Sequence, residues 1–149
     1  LPVHGLIVGG ASTSKQRYLQ KLRYRVRSMG LEADISFTGQ RDDLKNILAI
    51  SKLVLSLSTQ PESFGRTTLE ALRLGVPTAG YDHGGVAEIL RTVYPAVLLP
   101  LGRIDEASQR IAQLLQNPEP VPAGDFFPLQ SMLEQTLALY AQLARTPRR

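Results

Sequence analysis

Short apolar runs alternate with amphipathic stretches along most of this chain. Residues 3–8 read as a strand that ends in Gly9-Gly10. Residues 14–29 place Leu19, Leu22, Val26 and Met29 at spacings of three and four, the apolar stripe of a helix, and Gly30 is its stop. Residues 35–38 read as a short strand, and Asp42 or Asp43 can cap a helix that runs through Ile50. A strand over 53–57 and a helix over 67–74, stopped by Gly75, come next. A strand over 77–80 precedes a helix over 86–92. A last strand over 96–99 leads to a helix over 104–115. Strands alternating with helices predict an α/β domain, a parallel sheet with helices on both faces. Ligands bind such sheets beyond the carboxyl ends of the strands. The glycine turns Gly9-Gly10, Gly39, Gly65 and Gly84-Gly85 all follow a predicted strand on that side.

The alternation stops at residue 116. Residues 117–128 are rich in proline and read as a linker. A final amphipathic helix over 129–143 carries Leu133, Leu137, Tyr140 and Leu143 on one face, followed by a basic tail expected to fray. A chain of 149 residues fits one domain with a real core. No stretch approaches the ~20 apolar residues of a membrane span. The start, Leu-Pro-Val-His-Gly, lacks the basic and long apolar regions of a signal peptide and begins almost on a strand. The chain is therefore expected to be part of a longer protein. Without cysteine there is no disulfide framework and no thiolate metal site, which fits a cytoplasmic location. Net charge is +4, and Lys15, Arg17, Lys21, Arg23, Arg25 and Arg27 cluster on the first helix. That cluster reads either as a solvated face or as an attraction to the anionic inner face of a membrane. Nucleic acid is disfavoured, because no aromatic platform is interleaved with the basic residues.

The candidate chemistry sits in residues 61–70, Pro-Glu-Ser-Phe-Gly-Arg-Thr-Thr-Leu-Glu. A strand that turns through Gly65 into a helix start aims free backbone N–H groups and a helix dipole at an anion. Glu62 and Glu70 flank that start as acceptors suited to sugar hydroxyls. Their eight-position separation exceeds one helical contact, so they reach a ligand from different elements, loop and helix. Phosphate at the amides and hydroxyls at the carboxylates together suggest a nucleotide-sugar. The Gly9-Gly10 turn is either a tight strand-to-helix turn or a wall of the nucleotide pocket. Arg41 could lie over a base and Asp43 could accept from a base edge, a role compatible with capping. His4 is expected to be packed in its strand, and Asp82-His83 has no nucleophile placed as an elbow. Two histidines without cysteine make a transition-metal site improbable.

The run 61–77, followed by Gly84-Gly-Val-Ala-Glu88, resembles the retaining glycosyltransferase family four, whose members have two Rossmann-like domains in the GT-B fold. The Glu-x7-Glu spacing, Glu-Ala-x3-Gly-x-Pro and Gly-Gly-x-x-Glu stand in order, while 5–10 and 37–39 match weaker upstream blocks. The resemblance implies the C-terminal, donor-binding domain: 1–116 Rossmann-like without its first strand-helix unit, 117–128 linker, 129–149 helix and tail. It implies that Glu62 contacts donor-sugar hydroxyls and Glu70 ribose hydroxyls, with amides around Ser63, Phe64, Gly65, Arg66 and Thr67 at the sugar and diphosphate. Gly9, Arg41 and Asp43 lie where the family lines the base. The donor is expected to be a nucleotide-diphosphate sugar, with no cofactor and no metal. The Arg and Lys that clamp the diphosphate in the family, and the acceptor domain with its catalytic His, lie outside this chain, so the chain alone is expected to be inactive. Residues 56–66 and 80–85 are similar to bacterial lipopolysaccharide-core and envelope-sugar transferases, implying a glycan or lipid-linked acceptor and peripheral membrane contact. The final helix resembles the segment that packs on the other domain, so its apolar face could take a partner or a second copy. Two other readings stay open. One is a nucleotide-sugar epimerase of GT-B type, and the other a non-catalytic nucleotide- or partner-binding module. A nicotinamide oxidoreductase is disfavoured by the absent G-x-G-x-x-G.

Overall fold

A computed structural model describes residues 2–145 and divides the chain at Ile47/Leu48 into two compact units. The first holds β1 (Gly5–Val8), a 3₁₀ turn (Thr13–Lys15), α1 (Gln16–Ser28) and β2 (Ile35–Gly39), and the chain leaves it within α2 (Leu44–Ile50). β1 and β2 pair in parallel, Gly5 opposite Ile35 and Ile7 opposite Phe37, with a register slip after Ile7. The stripe on α1 forms as expected through Leu19, Leu22 and Val26, which are half-buried. Met29 does not join it: the helix ends at Ser28, Met29 takes the C-cap, and its side chain is exposed. No residue from 2 to 47 is fully buried. Two strands and two helices do not enclose a core of their own. His4 corrects the expectation of a packed histidine, for it precedes β1, stays exposed and has Nε2 2.9 Å from the Ser36 hydroxyl.

The second unit holds β3 (Val54–Ser56), α3 (Arg66–Arg73), β4 (Thr78–Tyr81), α4 (Gly84–Val93), β5 (Leu98–Leu99), α5 (Ile104–Gln116) and α6 (Leu129–Arg145). Its strands lie side by side in chain order, all parallel. Helices occupy the crossovers, as parallel connections require. Leu72, Ala79, Val86, Ile89, Leu90, Val97, Leu99, Ala107 and Leu114 form the core. β5 is shorter than the expected 96–99. Pro95 starts a 3₁₀ turn through Val97, so only Leu98 and Leu99 pair with Gly80 and Tyr81. A residue without an N–H opens such a turn readily.

Residues 117–128 form no helix or strand, yet they lie on this core. The Tyr94 hydroxyl donates to the Glu119 carbonyl, and Arg110 reaches the Glu119 carboxylate at 3.3 Å and the Ala96 carbonyl at 2.6 Å. Val121 and Phe126 pack against the core cluster. Arg73 donates to the Asp125 carboxylate at 2.8 Å and the Phe126 carbonyl at 2.7 Å. α6 follows with Leu133, Leu137, Tyr140 and Leu143 all exposed. The tail beyond Arg145 lies outside the described residues.

Candidate functional site at the start of α3

Gly65 is the residue on which this site turns. It takes a left-handed φ of 90° and caps α3, ending the loop from β3. A Cβ here would meet the Val86 backbone and side chain at 3.1–3.3 Å, so both the conformation and the space favour glycine. The first helical bond runs from Leu69 N–H to the Gly65 carbonyl at 3.1 Å. The amides of Arg66, Thr67 and Thr68 therefore have no partner within the helix. Thr68, Leu69, Ala71 and Leu72 are buried, which turns Arg66, Thr67 and Glu70 outward. Glu70 is 48% exposed and stands 3.7 Å from the Arg66 guanidinium.

The loop ahead of Gly65 is shaped from two directions. Ser58 Oγ donates to the Gln60 carbonyl at 2.9 Å and accepts from the Gln60 N–H at 3.2 Å, folding a side-chain turn. Glu62 then passes its carbonyl to the Gly85 N–H at 2.9 Å. The start of α4 touches this loop backbone to backbone. A Cβ on Gly84 would sit 3.1 Å from Pro61 and Glu62 backbone atoms, and one on Gly85 would sit 2.6 Å from Phe64 N and Cα. Gly84-Gly85 is thus the docking surface for the Glu62–Phe64 turn. Glu62 and Ser63 are exposed, and the Phe64 ring meets the Phe127 ring edge-on at 6.2 Å.

β4 ends in the same neighbourhood. His83 caps α4, and its ring Nε2 is buried without a partner among the described residues. Beside it Asp82 is 2.6 Å from the Arg91 guanidinium. Seven of the sequence-selected residues, Glu62, Ser63, Phe64, Gly65, Arg66, Thr67 and Glu70, thus sit together around one helix start. The contacts to Gly85 and Phe127 were not anticipated. The Gly-Gly pair carried a signal for the first, and nothing in the sequence pointed to the second.

The other three residues belong to the first unit. Gly9, at φ 132°, donates its N–H to the Gly39 carbonyl at 2.9 Å, and Gly39 has φ 71°. Arg41 and Asp43 form a bidentate pair at 2.7 and 2.6 Å. The Arg41 guanidinium lowers the Asp43 carboxyl below the usual aspartate range, and Asp43 raises Arg41 in turn. The Asp43 carbonyl accepts from Asn46 and Ile47, which puts Asp43 at the head of α2. Among the described residues no three His, Cys, Asp or Glu side chains group as a metal site, and no helix is long and apolar enough to cross a membrane.

The family model described as "Glycosyl transferases group 1" matches residues 2–123. N-acetyl-alpha-D-glucosaminyl L-malate synthase of Bacillus anthracis is 34% identical over 94 residues, 63% of this chain and 24% of that protein. Mannosylfructose-phosphate synthase of Agrobacterium fabrum is 39% identical over 85 residues, 54% of this chain and 18% of that protein. The chain spans about a fifth to a quarter of these relatives. The Anabaena HepE protein, solved in complex with UDP, superposes with a TM-score of 0.79 at 26% identity, covering 94% of this chain and 41% of the other. A structure of the same protein holds UDP-glucose, with a TM-score of 0.78. The α/β architecture is thus that of one half of a GT-B fold, completed by the C-terminal helix.

Proposed function

This chain belongs to the group 1 glycosyl transferases, and we propose on that premise that it is the donor-binding part of an enzyme that transfers a sugar from a nucleotide-diphosphate sugar with retention. The observation that carries this reading is the start of α3, where amides without partners in the helix stand between two exposed carboxylates. In this reading Glu62 accepts from donor-sugar hydroxyls and Glu70 from ribose hydroxyls. Glu70 swings from its loose pairing with Arg66 to do so. The amides around Ser63, Phe64, Gly65, Arg66 and Thr67 hold the sugar and the diphosphate. Charge that grows on the diphosphate as the glycosidic bond breaks is stabilised by these fixed dipoles and the positive end of α3. That assignment requires no metal and no resident cofactor. In the first unit, taken by itself, Asp43 holds the flat Arg41 guanidinium, a group suited to lie over a nucleotide base.

The similarity to the Anabaena protein, solved with UDP and with UDP-glucose, makes UDP-sugars the first donors to try. An envelope glycan or lipid-linked acceptor, at the inner face of the membrane, rests on the residues of 56–66 and 80–85 and on the basic face of α1. Acceptor binding and turnover belong to the whole protein, and this chain alone is inactive in the reading. The test is calorimetric titration of UDP, GDP, ADP and their sugar conjugates into the full-length protein, with Glu70→Ala alongside. Binding of one nucleotide family, weakened by the substitution, supports the donor site and names the base. No binding by any of them in a folded protein would replace this reading with a partner-binding module. Release of free sugar without an acceptor would point to an epimerase.

A further inference from the structure

We infer that Phe127 is a positioning residue for the donor loop and that residues 117–128 act as a strap over the second unit, not as a spacer. The inference deepens the donor-site reading and rests on it for the ligand alone. Phe127 is the one non-glycine residue with positive φ, 54°, among those described. Side chains with a Cβ avoid that region, so contacts must hold the residue there. Those contacts are visible. Tyr94 and Arg110 fix the start of the strap through Glu119. Val121 and Phe126 seat its middle on the core. Arg73 donates to the Asp125 carboxylate and the Phe126 and Phe127 carbonyls at its end. The Phe127 ring is then presented edge-on to Phe64, with planes at 85°.

Phe64 stands two residues ahead of α3, and Arg73 is the last residue of that helix. Residues 125–127 of the strap are therefore tied both to the last residue of α3, through Arg73, and to the loop before that helix, through Phe64, although the eight-residue helix separates its two ends by about 12 Å. The loop is gripped from two sides. Gly85 lies under its backbone, with no room for a Cβ, and Phe127 lies against its one aromatic side chain. Only the second grip comes from a segment with no ladder of its own. Without the Phe127 ring the loop keeps its Gly85 contact but loses its lateral stop. The amides of 64–67 then no longer hold one preset direction.

The test uses the full-length protein with Phe127→Leu, Phe127→Tyr and Asp125→Asn. Hydrogen exchange at the Gly85 amide, which is bonded to the Glu62 carbonyl, reports the loop without any ligand. Exchange there is expected about tenfold faster in Phe127→Leu, unchanged at Leu90 in the core, and restored in Phe127→Tyr. Asp125→Asn, which loosens the hold of Arg73 and leaves every ring in place, is expected to move Gly85 the same way. UDP-glucose, or the first nucleotide-sugar that the wild type binds, is expected to bind about tenfold more weakly to Phe127→Leu. Adding Phe127→Leu to Phe64→Leu should weaken binding no further, since Phe127 acts through Phe64. Unchanged Gly85 exchange in folded Phe127→Leu overturns the strap. Fully additive losses overturn its action through Phe64. A wild type that binds no nucleotide-sugar, yet shows the exchange difference, retires the donor reading and upholds the strap.

Discussion

A Cβ at Gly85 would stand 2.6 Å from Phe64 N and Cα, while one at Gly75 would meet nothing within 4 Å. The two glycines therefore fail differently when changed to alanine. Gly85→Ala must push the Glu62–Phe64 turn aside and is expected to cost about 1–3 kcal/mol in urea unfolding, with donor affinity lost as well. Gly75→Ala, at φ 73°, costs only its left-handed conformation, about 1–2 kcal/mol, and donor binding should survive. Equal donor binding by the two variants would refute the backbone docking. Glu70→Ala is the reverse case. Its pairing with Arg66 is exposed, so the melting temperature should barely move. Donor binding should weaken by roughly 1.5–3 kcal/mol, the worth of hydrogen bonds to a charged group. Unchanged donor affinity would sink the ribose role. The Glu62–Glu70 spacing was legible from the sequence, because a glycine before a hydroxyl-rich helix start has few other uses. The Arg41–Asp43 pairing was not, because spacing does not say whether an arginine in a turn folds back or reaches out. Arg41 lowers the Asp43 carboxyl, so the pair should persist on acidification below the ordinary aspartate range and open only as pH falls through that lowered value. Carbon NMR titration of Asp43 checks this, and Arg41→Ala should return the midpoint to normal.

Every predicted strand and helix is present, with ends shifted by a few residues, because a period of two or of 3.6 shows in single-chain spacing. The strap is a different kind of object. Its prolines announce the lack of a ladder, but its ties join partners 25 and 52 positions apart, Tyr94 to Glu119 and Arg73 to Asp125. No local pattern encodes such pairs. The same reasoning explains β5, whose onset is set by the turn at Pro95 and by Val97 filling the core. Tyr94→Phe isolates one tie, since it removes the hydroxyl that donates to Glu119 and leaves the buried ring. It should cost about 1 kcal/mol at neutral pH. Burial, followed by the nearby Glu119 charge, raises the Tyr94 phenol above its ordinary 10.0. The protonated form is thus favoured by folding. Its contribution is full below the ordinary value and declines as pH rises through the raised one. The gap between wild type and Tyr94→Phe in urea unfolding should accordingly shrink above about pH 10. A gap that widens with alkaline pH would contradict the bond.

The two units differ in what holds them. Residues 1–47 carry eight Lys and Arg against four Asp and Glu, whereas 48–149 carry nine of each, so the whole net charge of +4 belongs to the first unit. No described residue of the first unit is fully buried, with Leu6 45% and Ile7 40% exposed on β1, while Ala79, Ile89, Leu90 and Leu99 in the second are at most 1% exposed. Apolar burial is the main favourable term in folding. Self-repulsion of like charge adds a cost on the side that has little burial to offset it. Opening of the first unit should therefore require less free energy than opening of the second. Both contribute strand amides to parallel pairs, Ile7 and Phe37 in one and Ala79 and Gly80 in the other, so the comparison is between equivalent bonds. In native-state hydrogen exchange, amides of β1 and β2 are expected to exchange at least about tenfold faster than those of β4 and of Ile89 and Leu90 in α4. Added salt should narrow the difference by screening the basic face of α1, while leaving β4 unchanged. Equal protection in both sheets, insensitive to salt, would mean that the chain opens as one cooperative body and that the charge of α1 has no part in its stability.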